Sequence, residues 1–380
     1  MMDERKKWLL KTIIEDYVET AEPVGSKVLT RRHKLDISPA TVRNDMADLE
    51  EMGYLEKTHT SSGRVPSDKG YRAYIDNLIV LEPLSKEIKD YIVGFLSGAM
   101  LEAKSLIEHA AAVLSEQSNY ISLVLTPRYG SSSLQQIKIL QIEPGRALVV
   151  VVLSEGIVKD RVVRIPNIIS DQQLVELAAA IERGLQGIRL DDITLVTVTA
   201  AVDGSTIPEP LLNQVLYEAY VSIKQAGHLD MYLQGVHKLL DYPEFHNIEK
   251  AQRFLTTLHK EHVVAAYLDE WRAQEAGNYQ DTIAVNFSEE SGNEGKQTDD
   301  RPAFMVRIGQ EIDLDGMDDC SFITTTYRIG GELSGQICLI GPRRMPYTRT
   351  ISQINFVNRA LTDQMKARVG YCETDEREQK

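Results

Sequence analysis

Apolar positions along the first eighty residues recur with helical spacing and then alternate. Leu9, Leu10, Ile13, Ile14, Tyr17 and Val18 fall on one face of a helix over residues 4–20. "EPVGSK" interrupts that pattern, and Ser26 stands where it can cap a second helix through Val28 and Leu29. After the short "KLDIS", Ser38 caps a third helix whose first position is Pro39, where a missing N–H costs nothing. Val42, Met46 and Leu49 give that helix its buried face, and Gly53 suits the residue just past its end. Tyr54 and Leu55 then begin a strand, "TSSG" turns the chain, and Arg64 and Val65 return it until Pro66. Ser67 opens a further helix carrying Tyr71, Tyr74, Ile75 and Leu78. Helix, helix, short turn, helix and hairpin spell a winged helix-turn-helix.

The pattern predicts a mixed remainder. Residues 84–117 carry Leu84, Ile88, Ile92, Leu96, Leu106 and Leu114 at the spacing of one long helix, read as a core or dimer face. "ISLVLT", "QQIKILQIE", "RALVVVVL" and "IVKDRVVRIP" read as strands separated by turns such as Pro144-Gly145. Asp171 opens a helix through Leu185, and "DITLVTVTA" within 188–205 favours a strand by propensity alone. A mainly helical stretch fills about 206–276, and the polar segment 287–301 reads as a flexible loop. "FMVRIG", "SFITTTYRIG" and "LSGQICLIG" are further strands, and a helix over Thr350–Val369 closes the pattern. The fold class expected is α+β and multidomain, with no repeat of fixed period.

Charge sharpens the picture once it is divided. The 380 residues carry a net charge of -14, which disfavours non-specific adhesion to nucleic acid. Residues 1–80 hold 13 Lys and Arg against 14 Asp and Glu, leaving 29 against 42 for the rest. A distant acidic domain barely opposes a local site, because the Debye length is roughly 8 Å at physiological salt. Hydrophobic runs such as "ALVVVVL" are far too short to cross a bilayer, and the amino end lacks the apolar stretch of a signal peptide. Three cysteines without metal-like spacing point to a reducing cytoplasm.

In a helix-turn-helix, the first turns of the third helix approach the base edges. Here those turns carry Ser38, Thr41, Arg43 and Asn44, with no carboxylate before Asp45. Arg43 can read guanine O6/N7 and Asn44 adenine N6/N7, while Ala40 or a Thr methyl can touch a thymine methyl. Lys27, Arg31, Arg32, Lys57, Arg64, Lys69 and Arg72 are the candidates for phosphate contacts, and His59 and Thr60 at the wing tip for a minor groove. The bland alternative is a small module that packs only against protein.

Other motifs carry less. The glycines of "RIGGELSGQICLIGP" lack the Lys-Ser/Thr ending of a phosphate loop and belong to hairpins and strand ends. His259 and His262 have no third ligand nearby and read as solvated side chains. Ser61, His59 and Asp68 form no known nucleophile arrangement. No catalytic group, metal site or cofactor is expected, and the chain reads as a non-enzyme. A rival reading is a ligand-sensing transcription factor, which requires a buried cavity with a few converging polar groups.

The block "ETAEPVGSKVLTRRHKLDISPATVRNDMADLEEMGYLEKTHTSSGRVPSDKGYRAYID" closely resembles the amino-terminal region of the bacterial heat-inducible transcription repressor family HrcA. "GVHKLLDYPEFHNIEKAQRFLTTL" and "DDCSFITTTYRIGGELSGQICLIGPRRMPYTRTISQINFV" resemble that family's middle and carboxy-terminal segments. Thr58 and Ser62 stand where the family pattern has Pro and Ala. The resemblance implies a cytoplasmic homodimer that represses chaperone operons at CIRCE, an inverted-repeat operator in double-stranded DNA, and that the chaperonin GroEL keeps active. It also implies a winged helix over 1–82 and a GAF-like domain over 83–189 and 281–372, split by an inserted dimerising domain over 190–280.

Overall fold

The computed structural model describes residues 2–34, 36–57, 63–98, 103–154, 156–202, 207–275, 304–330 and 333–378. The 287–301 segment, expected as a loop, lies outside them, as do His59 and Thr60.

The amino-terminal unit follows its sequence closely. It comprises α1 (Glu4–Thr20), α2 (Ser26–Arg32), α3 (Pro39–Glu51), β1 (Leu55–Lys57), β2 (Arg64–Pro66) and α4 (Asp68–Asn77). The side chain of Asp3 caps α1 by accepting from the Lys6 N–H, and Ala21 ends it in the left-handed region. Ser38 accepts from the Thr41 N–H with Pro39 in the first turn of α3, and Gly53 has φ +78°. Ser67 accepts from the Gly70 N–H and donates to the Gly53 carbonyl at 2.6 Å, joining α4 to the end of α3. Ser26 does not cap α2. It is the first helical residue, and Gly25 precedes it with no side-chain bond. Leu9, Leu10, Ile13, Ile14, Leu29, Val42, Met46, Leu49, Tyr71 and Ile75 are buried together as the core.

Next come α5 (Lys86–Ser97) and α6 (Ala103–Ser118), where one long helix was expected; α5 ends at Gly98. β3 (Ile121–Leu125) follows, buried at every position. The chain then leaves to build β4 (Leu134–Glu143), β5 (Arg146–Leu153), β6 (Val158–Arg164), α7 (Asp171–Leu185), α8 (Leu195–Ala200) and α9 (Glu209–Ala226). It returns through β7 (Met231–Gln234), two short 3-10 turns, α10 (Ile248–Leu258), α11 (Glu261–Glu275), β8 (Phe304–Ile308), β9 (Cys320–Gly330), β10 (Leu333–Pro342) and α12 (Tyr347–Glu378).

Two antiparallel sheets result. One has five strands in the order β7-β3-β10-β9-β8, and the other three in the order β4-β5-β6. The strands over 134–164 therefore do not join β3, as the expected division at 189/190 required. The inserted layer runs from about 127 to 229 and has its own core, including Ile137, Val149, Val151, Leu174, Ile181, Leu216 and Ile223. The five-stranded sheet carries α6 and α12 on one face and α10 and α11 on the other.

"DITLVTVTA" is helical where strand propensity pointed the other way. Thr194 accepts from the Thr197 N–H, and Thr197 accepts from the Thr194 N–H. This reciprocal cap satisfies two backbone donors locally and starts α8.

Candidate nucleic-acid interface

The exposed end of α3 is free of acid. Pro39, Ala40, Arg43 and Asn44 are exposed, and Thr41 is half-buried, while Val42, Asp45, Met46 and Leu49 turn inward. Arg43 and Asn44 make no ion pair or side-chain hydrogen bond among the described residues, so their polar groups are available to base edges.

The acids that follow are almost all occupied. Asp45 is 4% exposed, and its Oδ1 accepts from Arg5 of α1 at 2.8 Å. Asp48 pairs with Lys6 of α1 at 2.9 Å. Glu50 lies between Lys57 at 3.0 Å and the Arg64 Nε–H at 2.7 Å. Partial burial pushes the Glu50 carboxyl upward, but the hydrogen bonds from Lys57 and Arg64 outweigh it and hold the group below the ordinary glutamate range. Glu51 remains exposed at the far end. The helix therefore presents cationic and amide groups at its start and compensates most of its carboxylates with α1 and the wing.

The expected phosphate contacts divide into three groups. Lys27 and Arg31 of α2 are exposed and hold no carboxylate among the described residues. Arg32 pairs with Asp16 at 3.3 Å and also with Glu19. Lys69 donates to the Met52 carbonyl at 2.8 Å and sits over the Tyr54 ring, and Lys57 keeps a largely exposed stem beside Glu50. Arg64 is only 12% exposed, and its guanidinium braces α3 against β2. Arg72 faces the other way. It bonds Glu311 and the Val306 carbonyl of the five-stranded-sheet domain and pairs with Asp76, so it belongs to a seam between domains. Ser38 spends its hydroxyl on the α3 cap and on Thr41 Oγ1 at 2.9 Å.

The seam itself was missed in the sequence. Asp68, the first residue of α4, accepts from Arg343 at 2.8 Å and from the Gln310 N–H at 3.1 Å. Arg344 bonds Glu244 and the Val18 carbonyl, and Thr348 donates to Glu82. The adjacent "RR" at 343–344 was visible, but nothing local announced carboxylates so distant in the chain.

The family described as the HrcA protein C terminal domain matches residues 104–351, about two thirds of the chain. The chain belongs to the HrcA family. A DeoR-like helix-turn-helix domain matches residues 28–67, which contain α3 and the wing strands. The heat-inducible transcription repressor HrcA of Acetivibrio thermocellus is 33% identical over 369 residues, covering 97% of this chain and 98% of that protein. Its counterpart in Moorella thermoacetica is 33% identical over 368 residues, covering 96% and 98%. A crystal structure of a hypothetical protein shares the fold at a TM-score of 0.61 and 18% identity, covering 97% of this chain and all of that one. This HrcA chain is a transcription repressor with a DNA-binding helix-turn-helix domain, a negative regulator of heat-shock genes and not an enzyme. No helix among the described residues is long and apolar enough to cross a membrane.

Proposed function

We propose that this HrcA member represses chaperone operons by binding the inverted-repeat CIRCE operator as a homodimer, with α3 of each protomer in a major groove. The observation that carries the reading is the exposed, acid-free start of α3, with Asp45, Asp48 and Glu50 neutralised behind it. Arg43 and Asn44 are assigned to bases, and Lys27, Arg31, Lys57 and Lys69 to phosphates. Arg32, Ser38 and Thr41 support the helix entry, and Arg64 acts through the brace. His59 and Thr60 remain assigned to the wing tip.

The homodimer is assigned to the inserted layer over about 127–229. One face of its sheet packs on α7 and α9, while the other carries Leu140, Leu148 and Val162 in one cross-strand row. Ile142 and Val158 lie on the same open face, and Leu140, Ile142, Val158 and Val162 are each about half exposed. Apolar surface of that kind is favourably buried against a copy of itself under two-fold symmetry. The five-stranded sheet, over about 83–126 and 230–372, is read as the GAF-like domain. Its chaperonin partnership rests on the family resemblance, with GroEL as the partner that maintains the DNA-binding form in a reducing cytoplasm.

A gel-shift with an inverted-repeat duplex, with and without chaperonin, tests this reading. It predicts one two-protomer complex that needs both half-sites and gains occupancy with chaperonin. Equal binding to a single half-site, or no effect of chaperonin, contradicts the corresponding part.

A further inference from the structure

The face of the five-stranded sheet beneath α11 holds polar atoms with nothing to bond. Gln336 of β10 and Thr324 of β9 share that face with Phe322, Cys338 and Ile340, since Cys338 pairs with Thr324 and Ile340 with Phe322. Trp271 of α11 covers it, with its ring centroid 6.3 Å from that of Phe322. Gln336, Thr324 and Trp271 are 2%, 1% and 1% exposed. Both carboxamide atoms of Gln336, the Thr324 hydroxyl and the Trp271 indole N–H have no hydrogen-bond partner. A buried polar group left unpaired costs stability, and such groups in a native fold call for a reason.

A cleft of about 1420 Å³ adjoins this face between the two sheets' layers. Its wall includes Ser334, two residues before Gln336 on the same side of β10, together with Met231 and with Ala265 and Asp269 of α11. Gln336, Thr324 and Trp271 lie behind this wall rather than in it, whereas Ser122, also unpartnered, pairs with Leu339 on the opposite face of the sheet. Two of the cleft's acids are already engaged, Asp269 by Arg128 at 2.8 Å and Asp230 by Lys159. Asp191 and Glu261 add negative charge to the wall, which disfavours an anion.

We propose that the junction of this cleft with the Gln336 face is a binding site for a small, uncharged, planar ligand whose edge sets a hydrogen-bond donor beside an acceptor, as in a nucleobase or a carboxamide. The Gln336 carboxamide presents the complementary acceptor and donor. The Thr324 hydroxyl and Trp271 N–H supply the remaining polar contacts, and Cys338, next to Gln336 on this face and paired with Thr324, lies under the ligand's face. Gln336 is buried, so occupation goes with a parting of α11 from β10. The site thereby gives this repressor a small-molecule input separate from the DNA surface.

The chain has two tryptophans, so Trp8→Phe leaves Trp271 as the single fluorescent reporter. The full-length variant is titrated with adenine, nicotinamide and, as the anionic comparison, adenosine monophosphate. The site predicts a saturable change in Trp271 emission with adenine or nicotinamide in the millimolar range or below, and a weaker response to the phosphate-bearing compound. Adding Gln336→Leu weakens that response about tenfold or more. This substitution removes an unpaired group and keeps the fold by far-UV circular dichroism, and Thr324→Val is the second variant should Gln336→Leu not fold. Emission unmoved by both neutral probes means that internal water alone occupies the face, and overturns the proposal. So does an equal response to the anion, or a response that survives the substitutions.

Discussion

Arg343 Nη1 donates to Asp68 Oδ1 at 2.8 Å, joining residues 275 positions apart. The same guanidinium reaches Asp319 at 3.2 Å, and Arg72 meets Glu311 beside it. The start of α4 is thus clamped onto the five-stranded-sheet domain, so the direction in which α3 points depends on that domain. Arg343→Ala should cost about 1.5–3 kcal/mol, the usual range for a charge-assisted hydrogen bond at a partly buried site. The loss should appear as faster amide hydrogen exchange in α4 and a separate early unfolding transition of residues 1–80 in calorimetry. Gly309→Ala should act on the same seam, because a Cβ there would lie 2.3 Å from a carboxylate oxygen of Asp68, at φ +53°.

Asp45 tests the compensation of α3 from within. Its second carboxylate oxygen is buried without a partner, so Arg5 is its main support. Arg5→Ala should lower the melting temperature, and Arg5→Ala with Asp45→Asn should recover most of the loss. A double-mutant cycle by thermal unfolding reads that coupling. Strict additivity would mean that the pair contributes nothing.

The wing brace gives a pH dependence. Glu50 has a folded pKa below its ordinary value, so it binds its proton less readily folded than unfolded. Its contribution is present above the unfolded pKa and is lost as pH falls through the depressed folded value. Glu50→Gln should therefore destabilise most near neutrality, and the gap from wild type should close in acid. Melting temperatures from pH 7 down to pH 3 check the sign.

The inserted sheet should control assembly. Leu140→Asp or Val162→Asp places a charge in the middle of its open face, on opposite edge strands of one row. Sedimentation velocity should then show a shift from dimer to monomer at micromolar concentration, with far-UV circular dichroism unchanged. A dimer that persists in both variants would move the interface elsewhere.

Local chemistry was the legible part of this chain. Ser38 and Ser67 specified helix starts through caps to N–H groups three residues on, Pro39 and Gly53 marked a start and an end through their own backbone preferences, and the winged helix-turn-helix followed. The sheet division was hidden because the open face of β5 carries Leu148, Val150 and Val152. Apolar on both sides, "RALVVVVL" resembles a central strand even though its buried positions alternate. Arg64 and Arg72 were hidden for a different reason. A count of basic residues gives no partners, and beyond the nearby Asp76, Arg72 finds Glu311, 239 positions away.

The central claim is that a chain of net charge -14 holds a duplex by the start of α3 because the acids behind it are compensated. Its most direct test is the affinity of wild type, Arg43→Ala and the Lys27→Ala/Arg31→Ala pair for the operator and its single-base variants, over 50–200 mM salt. Arg43→Ala should lose about 1–3 kcal/mol of discrimination at one base pair per half-site. The lysine and arginine pair should weaken all sequences alike and flatten the salt dependence by about 0.9 in log–log slope for each phosphate contact removed. Unchanged affinity, discrimination and slope in both variants would contradict the claim and place the DNA on another surface.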